Sequence, residues 1–380
     1  MTVRVGLIGI GVNGRNSAKR FANKTPGASL VAVCDIDPKA LAWAQEEFGD
    51  TVQRCSTVEE LLPHVDAVKI STPHYDHPPI AIQCLEAGKH VLIEKPAGSY
   101  TRQVLDMNAA AEAHPDLVFA INFQHRFRPD MQLIRDLVQG GELGRIRRIN
   151  WIITTWFRSQ HYYNTGGWRA TWAGEGGGVL LNQAPHQLDL WQWIFGMPQR
   201  VRSFCSFGKY HHIEVEDEAT AYMEYADGAT GVFITSTAEN PGTDRLEITG
   251  DRGRLVYENG AFDYQRTKDS VRWAVEEGRS SAWGGPSWPV QLESGSRSDH
   301  GPGDNFIDAI TTGTELVTPG VSGINECLLA NAMIKSAWDD AWIELGSFDH
   351  DGYKAQLDER IANSTYEKPD VAEIDYSEVY

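Results

Sequence analysis

Val3-Arg4-Val5-Gly6-Leu7-Ile8-Gly9-Ile10-Gly11-Val12-Asn13-Gly14 stands at the head of the chain, and its reading decides the fold of the first third. Val3 to Ile8 is a short run with the composition of a strand. Arg15 to Asn23 reads as a helix. Between them Gly9, Gly11 and Gly14 form GxGxxG in the setting that gives it meaning, a strand before and a helix after. Gly9 permits the tight turn, Gly11 lets a pyrophosphate approach the backbone, and Gly14 lets helix and strand pack closely. Val12 and Asn13 complete a loop that turns free N–H groups and the positive end of the helix toward phosphate. The stretch therefore predicts a dinucleotide site.

Working outward, Leu30 to Cys34 is a second strand and ends at Asp35, twenty-one positions past Gly14. That matches the spacing of about 20 at which an acidic residue binds the adenosine ribose. A carboxylate there accepts hydrogen bonds from the ribose hydroxyls and repels a 2′-phosphate, and Ile36, Asp37 and Pro38 bring no cation. The expected cofactor is NAD rather than NADP. A role for Asp35 as the cap of the helix near Pro38 is the alternative, although Asp37 fits that cap better. Helices are expected over Lys39 to Phe48, Glu59 to Leu62, up to Glu86 from a cap at Asp76, and Thr101 to Ala113. Strands are expected at Ala67 to Ile70, Val91 to Ile93 and Leu117 to Ile121. Strict alternation means a doubly wound parallel sheet, and residues 1–122 are expected to form one domain.

The strand Val91 to Ile93 ends in Glu94-Lys95-Pro96. Ligands of parallel α/β sheets sit at that end, so Lys95 is a candidate catalytic lysine. The plain alternative is a surface Lys-Pro turn. After Asn122 the texture changes. A helix over Met131 to Gln139 is followed by strand-like alternation at Arg147–Trp156, Arg200–Phe207, Glu218–Tyr225, Thr230–Ser236, Arg245–Thr249 and Arg254–Glu258. Long strands with tight turns predict an α+β domain over 123–345, built on a large, mostly antiparallel open sheet. A homo-oligomer, dimer or tetramer, is expected through that sheet. Residues 265–300 read as a loop insertion, Asn305–Thr312 and Asn325–Trp342 as helices, and 346–380 as an acidic extension.

The second half carries Gly176-Gly177-Gly178-Val179-Leu180-Leu181-Asn182-Gln183-Ala184-Pro185-His186-Gln187-Leu188-Asp189. Three glycines allow a backbone to press against a flat ligand. If the run that follows is helical, Asn182, His186 and Asp189 share one face. A histidine is the natural acceptor of a hydroxyl proton near neutral pH, and Asp189 would fix its tautomer. A core or surface histidine is the bland alternative. Tyr162, Tyr163, Trp168 and Trp172 are stacking faces for a ring, or core aromatics.

Bulk properties narrow the class. At 380 residues the chain is long enough for two domains. With 41% hydrophobic and 23% charged residues it has an ordinary globular composition. No run approaches the roughly 18 apolar residues of a membrane helix, and because Met1-Thr2-Val3-Arg4 runs straight into a strand, no signal peptide is expected. Five scattered cysteines, with no CxxC pair, fit reduced thiols in a cytoplasm and exclude a disulfide framework or structural zinc; no metal is expected. A net charge of −18 leaves Arg145-Ile146-Arg147-Arg148 isolated in acid and excludes nucleic acid as a partner.

With these motifs together the chain resembles the Gfo/Idh/MocA oxidoreductases, the glucose–fructose oxidoreductase and inositol dehydrogenase family, from Val3 to about Trp342. The resemblance rests on the glycine fingerprint, Ser71-Thr72-Pro73 with His77, Glu94-Lys95-Pro96 and the segment Gly176–Asp189. It implies a Rossmann domain, NAD or NADP, and oxidation of a hydroxyl on a sugar, cyclitol or related polyol. It further implies that Lys95 contacts nicotinamide and the reacting hydroxyl, that His186 is the acid/base, and that Trp168-Arg169 lie near the cofactor. Ser71, Thr72, Pro73, His77 and Glu94 belong to the same cofactor set. Asn182, Tyr163, Trp172 and Arg126 are the expected substrate contacts. Asn182 departs from the inositol dehydrogenases, which have an aspartate there, so proton transfer is left to His186. Redox-neutral glycosidases or epimerases and a non-catalytic sugar sensor are the other activities the resemblance allows.

Overall fold

The computed structural model describes residues 2–278, 285–296 and 298–369. The first sheet has six parallel strands in the order β3-β2-β1-β4-β5-β6. They are β1 (Val3–Ile8), β2 (Ala28–Cys34), β3 (Gln53–Cys55), β4 (Ala67–Ile70), β5 (His90–Ile93) and β6 (Phe119–Ile121). Central strands are apolar along their whole length because helices cover both faces; β4 is buried at every residue, Lys69 included. The strand order reverses between β1 and β4, the point at which such sheets open a crevice for ligands. The first helix starts at Val12, three residues before the basic run that marks it in sequence, because Gly11 takes the N-cap position. Asp37 caps the next helix, Pro38–Phe48, by accepting from Lys39 N at 2.9 Å, so Asp35 is free of that duty. The short edge strand β3 carries no periodic signal of its own.

The second sheet has nine strands in the order β14-β13-β12-β11-β7-β10-β9-β8-β15. These are β7 (Ile146–Ile153), β8 (Arg200–Phe207), β9 (Glu216–Glu224), β10 (Thr230–Ser236), β11 (Asp244–Gly250), β12 (Gly253–Glu258), β13 (Ala261–Thr267), β14 (Ser287–Val290) and β15 (Ile343–Glu344). Only β7 and β10 pair in parallel; the other pairs run antiparallel. Ile149, Trp151, Ile153, Phe233, Leu246 and Ile248 point into a core closed by helices Pro185–Phe195 and Gly323–Asp339. The opposite face is open and leaves Phe204 62% and Tyr222 38% exposed. Strands β13 and β14 arise in part of the segment read as a loop insertion. Their side chains are mostly solvated, so no alternation announced them; residues 279–284 and 297 of that segment lie outside the described ones.

The chain then returns to the first sheet. Phe306 and Ile307, on helix Pro302–Thr312, share a core with Val3, Leu7 and Leu92, and Ala120 bridges to Pro319. Beyond residue 346 the expected acidic extension holds a helix, His350–Ala362, which buries Tyr353 and Leu357. Among the described residues no helix is long and apolar enough to cross a membrane.

Candidate active site

The loops after β1, β2, β4, β5 and β6 gather at one sheet edge. Gly9 has φ +90°, and a Cβ there would lie 2.7 Å from the Ser71 carbonyl. Gly14 has room for no side chain, because a Cβ would sit 2.0 Å from Gly9 O. Gly11 is different: a Cβ would meet nothing within 4 Å, and the helix behind it has no side-chain cap. The loop therefore leaves open space in front of unsatisfied N–H groups, which fits a pyrophosphate. Asp35 closes the other side, accepting from Ile10 N at 2.6 Å and Asp37 N at 2.9 Å. Next to Gly9, Ser71 Oγ and Thr72 Oγ1 are buried hydroxyls without partners among the described residues, and a bound dinucleotide would satisfy them.

Lys95 follows β5, and its Nζ donates to Asn182 O at 2.6 Å. Burial lowers its pKa from the ordinary lysine value, against the pull of Glu94 and Glu326, and Arg169 and Arg158 lower it further. Beneath it, Glu94 pairs with Lys69 at 2.7 Å and accepts from Asn122 Nδ2 at 2.8 Å. Burial opposes the Glu94 charge, but Lys69 outweighs it and holds the carboxyl below its ordinary value. Its carboxylate is thus engaged by protein, as a support under Lys95. His77, expected at the cofactor, is a clasp instead. Its ring nitrogens lie 2.8 Å from Pro96 O and 2.8 Å from Thr72 O, which ties the loop after β4 to the loop after β5 and leaves no ring nitrogen for a ligand.

The Gly176–Asp189 segment folds over this edge, but not as one helix. Asn182 lies in turns pinned by Val179 N to Glu216 O at 2.8 Å and Leu180 N to Glu216 Oε1 at 3.1 Å. The helix begins only at Pro185, which suits its first position. The glycine triplet packs against protein rather than a ligand: a Cβ on Gly176 would meet Ser99 Cβ at 2.5 Å, and one on Gly178 would meet Glu216 O at 2.0 Å. Asn182 and His186 still reach the site. Asn182 donates its side-chain amide to the buried Glu175 carboxylate, and Glu175 O receives Ser99 Oγ at 3.1 Å. His186 is buried and stacks on His125, with centroids 4.4 Å apart. Its Nδ1 has no partner among the described residues. Burial first, then the neighbouring His125 and Lys95, push its pKa well below the ordinary value, which favours the neutral ring.

Asp189 makes no hydrogen bond to His186; its carboxylate partners are Arg126 and Gln192. It is fully buried and takes Arg126 Nε at 2.9 Å and Nη2 at 2.5 Å. Arg126 also donates to Val317 O and Ser322 Oγ, so four of its five N–H groups brace the protein. Tyr163 and Trp172 are also withdrawn from the substrate set. Tyr163 is 1% exposed and donates to Thr237 Oγ1 at 2.9 Å; Trp172 is 6% exposed and packs on Phe207 and Trp338. Both aromatics went to the core. Trp168 stays half-buried, its ring 5.0 Å from His74, with the Arg169 guanidinium 4.6 Å over it. Sequence reasoning missed Lys69, Glu175 and His125. A lysine inside an apolar strand and a glutamate before a glycine triplet were the signals for the first two; nothing local marked His125. Among the described residues no His, Cys, Asp and Glu cluster is arranged to hold a metal.

Comparison with known proteins agrees with this architecture. Residues 3–122 match the family described as an oxidoreductase family with an NAD-binding Rossmann fold, and residues 131–256 match the GFO/IDH/MocA C-terminal domain. Trans-1,2-dihydrobenzene-1,2-diol dehydrogenase of Mus musculus is 30% identical over 259 residues, covering 67% of this chain and 74% of that protein. Levoglucosan dehydrogenase of Pseudarthrobacter phenanthrenivorans is 23% identical over 392 residues, covering 90% and 98%. Among solved structures, the WlbA dehydrogenase from Bordetella pertussis, in complex with NADH and UDP-GlcNAcA, superposes with a TM-score of 0.77 at 26% identity, covering 92% of this chain and 100% of that one.

Proposed function

The chain belongs to the Gfo/Idh/MocA family of oxidoreductases, and from that premise we propose that it oxidises a secondary hydroxyl of a pyranoside or cyclitol, with Lys95 orienting the hydroxyl and His186 taking its proton. Its first domain is an NAD-binding Rossmann fold, and bound NAD supplies the hydride acceptor. The observation that carries the reading is the meeting of the two halves of the chain: Lys95 Nζ bonds Asn182 O at 2.6 Å, four residues before His186.

Each group has a defined task. Gly9, Gly11, Val12, Asn13 and Gly14 hold the pyrophosphate, and Asp35 the adenosine ribose. Ser71, Thr72 and Pro73, with Trp168 and Arg169, bound the nicotinamide side. The substrate hydroxyl lies between Lys95 and His186. His186, neutral in its buried setting, accepts the hydroxyl proton as hydride leaves the same carbon. The Lys95 ammonium stabilises the developing alkoxide in a site of low dielectric. Asn182, anchored by Glu175, positions a neighbouring hydroxyl but takes no proton. The open outer face of the second sheet is the contact of a homo-oligomer under the same reading.

The test is an NAD-reduction screen over pyranosides, cyclitols and anhydrosugars. NADH is expected with at least one class. None with any of them removes net oxidation and favours the redox-neutral activities.

A further inference from the structure

Among the described residues, two arginines beside the site form no ion pair. Arg158 lies 5.0 Å from the centre of the Tyr162 ring and Arg169 lies 4.5 Å from it. Among the described residues neither guanidinium has a carboxylate within 4.0 Å, in a chain whose net charge is −18. The Nε of each is buried and has no hydrogen-bond partner among the described residues. Arg158 Nη1 donates to Phe157 O at 2.9 Å, and Arg169 Nη1 donates to Tyr162 Oη at 3.0 Å.

The pair is held in place. Arg158 N donates to Thr237 O at 2.8 Å, and its carbonyl lies 2.8 Å from His211 Nε2. Arg169 O accepts from Lys368 Nζ at 2.9 Å. Gln183 Nε2 reaches Tyr162 Oη at 3.3 Å, which joins the cluster to Asn182 and so to Lys95. Both arginines also lie near enough to Lys95 to add to the effect of burial on its charge. The buried Glu175 carboxylate feels the charge of Arg169 without pairing with it, and gathering these cations on one ring costs free energy through like-charge repulsion. An arriving anion relieves it, and planar guanidinium forks suit a carboxylate or phosphate.

We propose that Arg158 and Arg169, carried on the Tyr162 ring, form an anion subsite, and that the sugar substrate bears a carboxylate or phosphate which this subsite binds. The proposal rests on the sugar dehydrogenase reading and names the class of sugar. Arg169 faces both this subsite and the nicotinamide side; Arg158 is the residue it adds.

The experiment is calorimetric titration of the NADH-loaded protein with glucuronate, glucose 6-phosphate and glucose. Loading with NADH keeps the dinucleotide from answering for the subsite. Glucuronate or glucose 6-phosphate is expected to bind about tenfold or more tighter than glucose; whichever does so tells carboxylate from phosphate. Arg158→Gln is expected to bring that preference below about threefold. Equal binding of all three by the unaltered protein overturns the proposal, as does a preference that survives Arg158→Gln. Parallel assays of NADH formation from NAD separate the two readings. Turnover of glucose without anion preference keeps the dehydrogenase and removes the subsite. Anion-selective binding with no NADH from any sugar keeps the subsite and removes the dehydrogenase.

Discussion

At the scale of single residues, Lys95 and His186 are both shifted toward their neutral forms, burial being the first cause for each. A base must be unprotonated and an alkoxide-stabilising amine protonated, so kcat/KM is expected to be bell-shaped. The acid limb should fall below the ordinary histidine value of 6.5 and the alkaline limb below the ordinary lysine value of 10.5. A pH profile whose acid limb lies above the histidine value removes His186 as the base. Lys95→Ala should lower kcat about 1,000-fold, while NADH fluorescence titration still shows binding; near-normal turnover sinks the assignment. Arg126 makes the opposite prediction. Removing it strands Asp189 as a buried charge, so Arg126→Ala should cost about 3–5 kcal/mol of stability. Urea unfolding checks this, and unchanged stability with a raised KM would return Arg126 to the substrate set.

At the scale of elements, the glycine loop separates packing from binding. At Gly14 a Cβ would strike Gly9 O at 2.0 Å, whereas at Gly11 it would meet nothing within 4 Å. Gly14→Ala is expected to destabilise the fold by about 1–3 kcal/mol or more. Gly11→Ala is expected to leave thermal unfolding unchanged while weakening NADH by about tenfold or more, because its methyl enters the pyrophosphate space. Equal effects of the two substitutions on unfolding would contradict this geometry. Apart from the edge strand β3, the strands and helices of the first sheet were legible because each is a short apolar run or an amphipathic helix set off by glycine, proline or a capping side chain. β13, β14 and the helix His350–Ala362 were not, because their solvated or mixed faces show no period.

At the scale of the whole molecule, the open face of the second sheet bears Phe204 and Tyr222 among charged neighbours. With an oligomer seated on that face, replacing both with Glu should lower the mass seen by sedimentation while leaving each chain folded. An unchanged mass places any assembly elsewhere.

The sequence by itself determined the alternation of the first sheet and its glycine loop, and it singled out Asp35, Lys95 and His186 as the residues proposed for cofactor and chemistry. All of these are written in short windows whose spacing the backbone obeys directly. Only the tertiary structure decided which polar and aromatic residues serve the site. Arg126 and Asp189 are 63 positions apart, as remote in sequence as any unrelated pair, and their mutual neutralisation removes both from chemistry. Tyr163 and Trp172 carry the same side chains as a sugar platform would, and burial against Thr237 and Trp338 makes them core. Pairing and burial depend on partners far along the chain, which no local pattern encodes.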